Sequence, residues 1–378
     1  MIDIAPAAYE KRRKALYAWM EREGIALVMF EDFEGRRDAA LRWLSGHPGD
    51  ALLFLSVDKK SLLAPWDVHM AKRFANVDAV IPYNDLDRIP QKALRKAAEH
   101  FKTKHLSRIE IPSVCAYPRF LKFVEELRDF DVICREGGAD AEAQRLRAVK
   151  DDEELRLYRK VADFTNVLIC RLEDMVLSGS PVTEADVALF IEAECRRQGC
   201  EGTGFDTLAA GAERSFGIHA FPGYTANVFG GPGLSILDFG VKYAGYTSDV
   251  TITFACPPLS RAQEQMITLV EKAWKLAFSM ARKGASCRGI AQEVEAYFRK
   301  AKKAMPHGLG HGIGLEAHEA PYLNTQKSND WTLQPGMVVT IEPGLYDGEA
   351  GGCRLENDVL ITEKGPELLT ASRIVMLP

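Results

Sequence analysis

The sequence predicts an α/β domain at residues 1–140, followed by an α+β domain at residues 150–378. Helix and strand patterns alternate through the first part, which is typical of a sheet covered by helices. A polar, glycine-containing break at 136–140 separates the two parts. Beyond about residue 205 glycine becomes frequent, and strand patterns surround two helices, which favours a mostly antiparallel sheet. A chain of 378 residues also fits two domains, because single cores rarely grow past roughly 250 residues.

The elements of the first domain are predicted from hydrophobic periodicity and from short apolar runs. Their alternation indicates a largely parallel sheet. The predicted helices are 7–23, 35–45, 95–102 and 118–128, and the predicted strands are 25–30, 51–55, 61–64 and 107–111.

The second domain is predicted to begin with two helices, the second of which has Thr183 as its N-cap. Asp186, three residues later, completes a capping-box pattern. The predicted helices are 151–177, 184–198, 260–283 and 288–303, and the predicted strands are 234–239, 246–254, 336–342 and 353–361.

Composition limits the classes of function. The chain is 47% apolar and 27% charged with a formal charge of −5, which does not indicate nucleic-acid or anionic-membrane binding. The apolar run at 51–55 is far shorter than the ~20 residues of a membrane span. The charged N-terminal helix lacks the apolar core of a signal peptide. Eight cysteines without a C-x-x-C pair predict reduced thiols, so we expect a cytoplasmic protein.

Two aspartates, Asp238 and Asp249, flank a predicted turn at 244–245. A hairpin there would place the two side chains opposite or diagonal on neighbouring strands. Two ionised carboxylates held so close need a proton or a cation between them. Taken alone, the pair also fits one acid in a turn and one acid paired with a lysine.

A second predicted hairpin carries Glu342 and Glu356, each within an otherwise apolar strand, with a glycine-rich loop at 344–352. A buried carboxylate without a partner is strongly destabilising. Arg354 could pair with one of the two glutamates but not readily with both. The pattern therefore indicates a second source of metal-binding carboxylates.

The segment 307–318 contains His307, His311 and His318 among alternating glycines, which let the backbone approach a ligand closely. Ile313 occupies the last position of a would-be G-x-G-x-x-G, so a dinucleotide loop is excluded. Neither H-E-x-x-H nor G-x-S-x-G is present, which excludes a helical zinc site and leaves a serine hydrolase without a nucleophile. Three histidines close to two acid-bearing hairpins indicate metal or substrate ligands.

Together, the motifs D-x(10)-D, G-H-G-x-G-x-x-x-H-E, E-P-G and R-x-E resemble those of the pita-bread metallopeptidases. That family contains methionine aminopeptidase, aminopeptidase P, prolidase and the non-metal enzyme creatinase. The resemblance covers residues 150–378 and implies a pita-bread catalytic domain. Residues 1–140 resemble the extra domain shared by the prolidase, aminopeptidase P and creatinase branch, whose members are commonly homodimers.

The resemblance implies that five residues bind two divalent metal ions. Asp238 would bind one ion, His311 and Glu342 the other, and Asp249 and Glu356 would bridge the pair. Oxygen-rich ligation favours Mn²⁺, with Co²⁺ and Zn²⁺ as alternatives. A hydroxide bridging the ions would attack the peptide carbonyl.

Further residues match the family's substrate side. His219 and His318 are expected to bind the substrate carbonyl and to stabilise the tetrahedral oxyanion. Glu342 is the expected proton shuttle to the departing nitrogen. His307 and Arg354 are expected to orient the ligands, Arg354 by pairing with a ligand carboxylate. A purely structural role fits His307 equally well.

The implied reaction is cleavage of the bond before proline in a small peptide, as in an Xaa-Pro dipeptidase or aminopeptidase. The alternatives are another C–N hydrolase on the same scaffold, acting on a small amidino or modified amino-acid substrate, and an inert binding protein. Three positions depart from the family pattern: Ile252 replaces an arginine, Asn357 an acid and Ala40 an asparagine. The loss of the arginine at 252 is expected to remove a charge near the metal ligands.

Overall fold

The computed structural model describes residues 4–178 and 182–378. The chain forms two compact units, which divide between Arg147 and Ala148. The division lies beyond the predicted end of the first domain at 140, because an additional helix at Ala139–Arg147 packs within the N-terminal unit. None of the helices in the described ranges combines the length and the apolar character needed to cross a bilayer.

The N-terminal unit is a six-stranded sheet with helices. The helices are α1 (Pro6–Glu23), α2 (Ala39–Ser45), α3 (Val68–Phe74), α4 (Pro90–His100), α5 (Tyr117–Glu126) and α6 (Ala139–Arg147). The strands are β1 (Ile25–Asp32), β2 (Ala51–Ser56), β3 (Lys60–Pro65), β4 (Ala79–Val80), β5 (Arg108–Glu110) and β6 (Asp131–Ile133), in the spatial order β4-β3-β2-β1-β5-β6.

This sheet is mixed, which corrects the expectation of a largely parallel sheet. β2 runs antiparallel to both β1 and β3. The pairs β3–β4, β1–β5 and β5–β6 are parallel. The turn at 57–59 explains the antiparallel β2–β3 pair, because a connection this short can only form a hairpin. Lys59 adopts a φ of 63° in that turn.

The C-terminal unit contains four helices and sixteen strands among the described residues. The helices are α7 (Asp152–Leu177), α8 (Glu184–Arg197), α9 (Arg261–Met280) and α10 (Cys287–Lys300). The strands are β7 (Val182–Thr183), β8 (Gly202–Thr203), β9 (Leu208–Ala210), β10 (Val228–Phe229), β11 (Gly233–Phe239), β12 (Val241–Tyr243), β13 (Tyr246–Thr247), β14 (Val250–Cys256), β15 (Gly310–Gly312), β16 (Glu319–Leu323), β17 (Val338–Ile341), β18 (Gly344–Asp347), β19 (Gly351–Arg354), β20 (Asn357–Thr362), β21 (Gly365–Leu368) and β22 (Ile374–Met376).

Two larger sheets organise this unit, in the orders β22-β14-β11-β9 and β16-β15-β17-β20-β21. Their pairings are antiparallel apart from β14–β22, as predicted for the second domain. An isolated bridge between Thr251 and Glu356 links the two sheets. The link brings residues from both sheets to one place.

Helices close the outer faces of these sheets. One apolar cluster contains Leu172 and Val187 from α7 and α8, together with Leu237 and Ile252 from the first sheet. A second cluster joins α9 and α10 to the other sheet. Complete capping boxes, with both side chain–backbone hydrogen bonds, begin α7 at Asp151 and α8 at Thr183. The predicted Thr183–Asp186 cap is thereby confirmed.

Two of the four predicted strands that carry candidate acids are interrupted. The strand expected at 246–254 breaks at 248–249, and the strand expected at 353–361 breaks at 355–356. Glu342 lies just after β17 rather than inside it, because Pro343 follows and cannot donate a ladder hydrogen bond. The predicted loop at 344–352 forms the hairpin β18–β19. Asp249, Glu342 and Glu356 therefore lie where strands end or are interrupted.

Candidate metal centre

Asp238 and Asp249 lie diagonally across the β11–β14 pair. Asp238 is in register with Thr251, so Asp249, two residues before Thr251, is on the same face of the sheet. The turn between the strands is at Ala244 and Gly245, both with positive φ values of 51° and 87°. Because successive side chains of a strand point to opposite faces of the sheet, Ile252 lies on the face opposite Asp249.

Glu356 is held against the first sheet by two hydrogen bonds. Its amide donates to the carbonyl of Thr251 at 3.2 Å, and the Thr251 hydroxyl donates to Glu356 Oε2 at 2.7 Å. Glu342 is placed by its amide, which donates to the carbonyl of Leu309 at 2.9 Å. Each glutamate is therefore anchored through backbone at the end of a strand.

His311 lies at the centre of β15 between two glycines. A Cβ at Gly310 would lie 2.1 Å from the Thr340 carbonyl oxygen, and one at Gly312 would lie 2.1 Å from the Ala320 carbonyl oxygen. Only glycine allows the strand to fit between its neighbours at these positions.

The hydrogen bonds of His311 determine its tautomer. Nδ1 lies 3.1 Å from the carbonyl oxygen of Gly312 and must donate to it, since a carbonyl only accepts. Nε2 then carries the lone pair in the neutral ring. It lies 3.7 Å from Asp249 Oδ2 and 3.6 Å from Glu342 Oε1. Three groups that can ligate a cation thus point at one another.

The ligand atoms form overlapping groups, in each of which all ligating atoms lie within 4.8 Å of one another. These groups are Asp238, Asp249 and Glu356; His311, Glu342 and Glu356; and Asp249, His311 and His318. The first two contain all five predicted metal ligands and share Glu356. The structure therefore brings together every residue predicted to ligate.

The carboxylates repel one another when no cation is present. Burial raises the pKa of Asp249 well above its usual value, and Glu356 and Asp238 raise it further. Burial and Glu356 likewise raise the pKa of Glu342 well above its usual value. Burial and Asp238 raise the pKa of Glu356 to about 8. Ionised carboxylates in this cluster need positive charge nearby.

The donor set fits two divalent cations. Four carboxylates and one neutral imidazole carry −4 when fully ionised, which two such ions balance. Asp238 Oδ1 is buried and lacks a hydrogen-bond partner among the described residues, so it is available as a ligand. Oxygen donors with a single nitrogen suit harder ions.

Arg354 organises one side of the centre. Its buried guanidinium donates from Nη2 to Asp238 Oδ2 at 2.6 Å and from Nε to Thr251 Oγ1 at 2.9 Å. Nη1 donates to Tyr346 Oη at 2.7 Å and to the carbonyl of Ile218 at 3.1 Å. Arg354 thus pairs with Asp238, one of the predicted ligand carboxylates, in the position expected of an orienting residue.

Tyr346 and His307 extend this network. Tyr346 Oη accepts from Arg354 and lies 3.2 Å from His307 Nε2, to which it donates. His307 Nδ1 donates to the Gly308 carbonyl at 2.8 Å. Burial lowers the pKa of His307 to about 4, in agreement with this neutral tautomer. The sequence reasoning did not include Tyr346, although its place in the β18 hairpin next to E-P-G was a usable signal.

His219 and His318 are exposed at the centre. The ring centroids of His318 and His311 are 4.3 Å apart. Burial lowers the pKa of His318, Asp238 raises it, and nearby His219 lowers it again. His219 follows Ile218, whose carbonyl accepts from Arg354. Both histidines therefore lie where an incoming molecule could contact them.

Asp358 is a buried carboxyl that the sequence reasoning missed. Its Oδ2 accepts from the amide of Asp249 at 3.3 Å. Burial and Glu356 raise the pKa of Asp358 well above its usual value, whereas Lys150 lowers it. The position of Asp358, two residues after Glu356, was the available signal.

Two departures from the family pattern have structural explanations. Ile252 is fully buried in the apolar cluster on the face opposite Asp249, so the expected loss of a charge beside the ligands is not supported. Asn357 bonds to the 370–372 segment, with its Oδ1 accepting from the Ser372 amide at 2.7 Å. Both residues stabilise the fold rather than contact the ligand atoms.

The two mostly antiparallel sheets of the C-terminal unit and their covering helices constitute the pita-bread architecture. The chain belongs to metallopeptidase family M24, whose family model matches residues 156–363. The resemblance inferred from the motifs is thereby confirmed.

Individual relatives agree with this assignment. The putative dipeptidase YkvY of Bacillus subtilis (strain 168) is 35% identical over 234 residues, which cover 61% of this chain and 63% of that protein. The Xaa-Pro dipeptidase of Pyrococcus horikoshii is 29% identical over 286 residues, covering 75% of this chain and 78% of that protein. The structure of the X-Pro aminopeptidase from Thermotoga maritima MSB8 matches with a TM-score of 0.81 and 25% identity, over 97% of this chain and 99% of that one. The match to YkvY spans less than two thirds of that relative's length.

Proposed function

We propose that the protein is a metal-dependent hydrolase that cleaves the peptide bond before proline in an Xaa-Pro dipeptide or a longer Xaa-Pro peptide. The observation that carries the proposal is a pair of ligand groups that share Glu356. Within each group the ligating atoms lie within 4.8 Å of one another. Relatives named as Xaa-Pro dipeptidase support the substrate class.

Asp238, Asp249 and Glu356 would hold one divalent ion, and His311, Glu342 and Glu356 the other, with Asp249 shared between them. Two such ions would supply a water of lowered pKa and a Lewis acid for the carbonyl. We propose Mn²⁺ as the resident ion, because the donors are mainly oxygen. Arg354 holds Asp238 in its ligating orientation through the 2.6 Å hydrogen bond.

The chain's own side chains would complete the reaction. His219 and His318 would donate hydrogen bonds to the substrate carbonyl oxygen, where negative charge develops in the transition state. Glu342 would carry a proton on its carboxylate to the departing proline nitrogen. Glu342 Oε2 lies 3.8 Å from Nδ1 of His307, which belongs to the hydrogen-bond network of Arg354 and Tyr346.

The remaining proposals concern the setting of this activity. The N-terminal unit would be the creatinase/prolidase-like domain of this branch. The protein would act as a homodimer in the cytoplasm, a location supported by eight free cysteines. Light scattering after size-exclusion chromatography tests the dimer, and a monomer at micromolar concentration would contradict it.

Metal removal and replacement tests the central proposal. The purified protein is treated with EDTA and then reconstituted separately with Mn²⁺, Co²⁺ or Zn²⁺. Turnover is measured on Xaa-Pro dipeptides, on longer Xaa-Pro peptides and on matched Xaa-Ala peptides. We expect metal-dependent cleavage confined to the proline substrates. Cleavage of neither substrate class by a fully loaded protein would overturn the proposal.

A further inference from the structure

The buried glutamate at the start of α8, Glu184, carries an inference beyond the metal ligands. Its side chain is 0% exposed, although it lies outside the ligand groups described above. The residues that bind it belong to one loop, 211–225, and His219 lies near the middle of that loop.

Both ends of the loop bind the same carboxylate. Oε1 of Glu184 accepts from the amide of Gly211 at 2.7 Å. Oε2 accepts from the amide and the hydroxyl of Thr225, each at 2.7 Å, and from Arg214 Nη1. Four donors converge on one buried anion, so its charge is well compensated. The carboxylate thereby joins the two ends of the loop.

The middle of the loop is held by other groups. Arg214 also donates from Nη2 to the carbonyl of Pro222. This hydrogen bond connects the part of the loop before His219 to the part after it. On the metal side, Arg354 donates to the carbonyl of Ile218 at 3.1 Å. Ser215 Oγ accepts from the amide of Gly352 at 3.0 Å. His219, itself exposed, thus lies on a segment fixed at its ends by Glu184 and in its middle by the β19 strand.

We propose that Glu184 is a positioning residue for His219, acting by holding the loop 211–225 in the conformation that presents the imidazole to the substrate. The inference rests on the proposed function, in which His219 contacts the substrate carbonyl oxygen. A loop fixed in this way holds the backbone of His219 in place, so that presenting the imidazole to the substrate needs less reorganisation in the transition state.

The main test compares Glu184→Gln with Glu192→Gln in the full-length protein. In Glu184→Gln the glutamine amide places a donor against the surrounding donors. Glu192 is on the same helix, is 43% exposed and pairs with Arg196. We expect Glu184→Gln to lower kcat by about 10- to 100-fold, the range for residues that orient a ligand, with unchanged bound metal and little change in KM. The control should keep wild-type kinetics.

A second readout does not depend on turnover. Hydrogen–deuterium exchange of the metal-free protein should show faster exchange for 211–225 in Glu184→Gln and not in Glu192→Gln. If Glu184→Gln does not fold, Thr225→Val removes one of the hydrogen bonds, and Thr225→Ser should restore it. Unchanged exchange and unchanged kcat in the folded variant would overturn the proposal.

A double-mutant cycle separates this inference from the proposed function. If Glu184 acts through His219, Glu184→Gln should add little to the loss already caused by His219→Ala. A full additional loss would refute the positioning role and leave the function standing. Wild-type turnover in His219→Ala would instead refute the proposed role of His219, and with it the premise of the inference.

Discussion

Arg354 donates a 2.6 Å hydrogen bond to Asp238 Oδ2 and leaves Asp238 Oδ1 buried without a hydrogen-bond partner among the described residues. The Arg354 guanidinium therefore fixes one oxygen of the carboxylate, while the other oxygen faces the cluster of candidate ligands. The arrangement orients Asp238 before any metal ion arrives. It also links the metal centre to Tyr346, which accepts from the same guanidinium.

Replacing Arg354 with lysine should weaken metal binding. A lysine keeps the charge but cannot reproduce four directed hydrogen bonds. We expect the metal dissociation constant to rise by roughly 10- to 100-fold, as for other groups that orient a ligand. Isothermal titration with Mn²⁺ measures the change. Arg299→Lys is the matched control, because the Arg299 side chain is 76% exposed; equal affinities in both variants would contradict the assigned role.

Asp249→Asn should abolish the pairing of metal ions. The change keeps the shape of the side chain and removes a carboxylate that belongs to two ligand groups. We expect one bound ion or fewer per chain by elemental analysis, and a fall in kcat/KM of more than about 100-fold, beyond the range for an orienting residue. Asp163→Asn, on the exposed face of α7, should behave as wild type. Two bound ions with full activity in Asp249→Asn would count against Asp249 as a shared ligand.

The stability of the metal-free protein should fall as pH rises from 6.5 to 8. The pKa of Glu356 is about 8 in the fold against 4.5 when unperturbed, so over this window the folded state binds more protons than the unfolded chain. Stability is therefore lost with rising pH. His307 and His311, with pKa values of about 4 and about 3 against 6.5 when unperturbed, act in the opposite direction, and their effect fades as pH rises above 6.5.

Calorimetry of the EDTA-treated protein at pH 6.5 and 8 measures this slope. A loss of 1 kcal/mol lowers the melting temperature by about 2–4 °C for a domain of 150–250 residues. Saturating Mn²⁺ should reverse the trend, because the ligands must be deprotonated to bind. A metal-free protein that becomes more stable as pH rises from 6.5 to 8 would contradict the repulsion among the buried carboxylates.

Gly312→Ala should destabilise the fold and the metal centre together. The new Cβ would lie 2.1 Å from the Ala320 carbonyl oxygen, and backbone cannot give way as a flexible side chain can. We expect a loss of about 1–3 kcal/mol in the free energy of unfolding, measured in urea, as for other overpacked sites. Weaker Mn²⁺ binding should accompany it, because His311 is the adjacent residue. A Cβ at Gly348 meets nothing within 4 Å, so Gly348→Ala should leave both quantities unchanged.

Much of the local structure could be predicted from sequence. The capping box at Thr183, the helices around it and the hairpin between Asp238 and Asp249 depend on residues close in the chain, and the structure contains them. Acids in apolar segments are unfavourable without a partner, and three histidines near them indicated metal or substrate ligands. The family resemblance then assigned the roles of the five candidate ligands. Family motifs supplied the remaining assignments.

Other features depended on contacts between distant segments. Strand breaks at Asp249 and Glu356 arise where the two sheets meet at the Thr251–Glu356 bridge, and hydrophobic pattern alone does not encode such a junction. The direction of β2 in the N-terminal sheet was likewise missed, since apolar runs do not specify parallel or antiparallel pairing.

The sequence by itself determined which side chains were available for metal chemistry, because residue type sets charge and donor atoms. Only the tertiary structure decided how those atoms are oriented. The hydrogen bond from Arg354 to Asp238 spans 116 positions, and Glu184 holds a loop up to 41 positions away. Such contacts form only when the sheets and helices pack, since packing brings buried donors and acceptors within hydrogen-bonding distance.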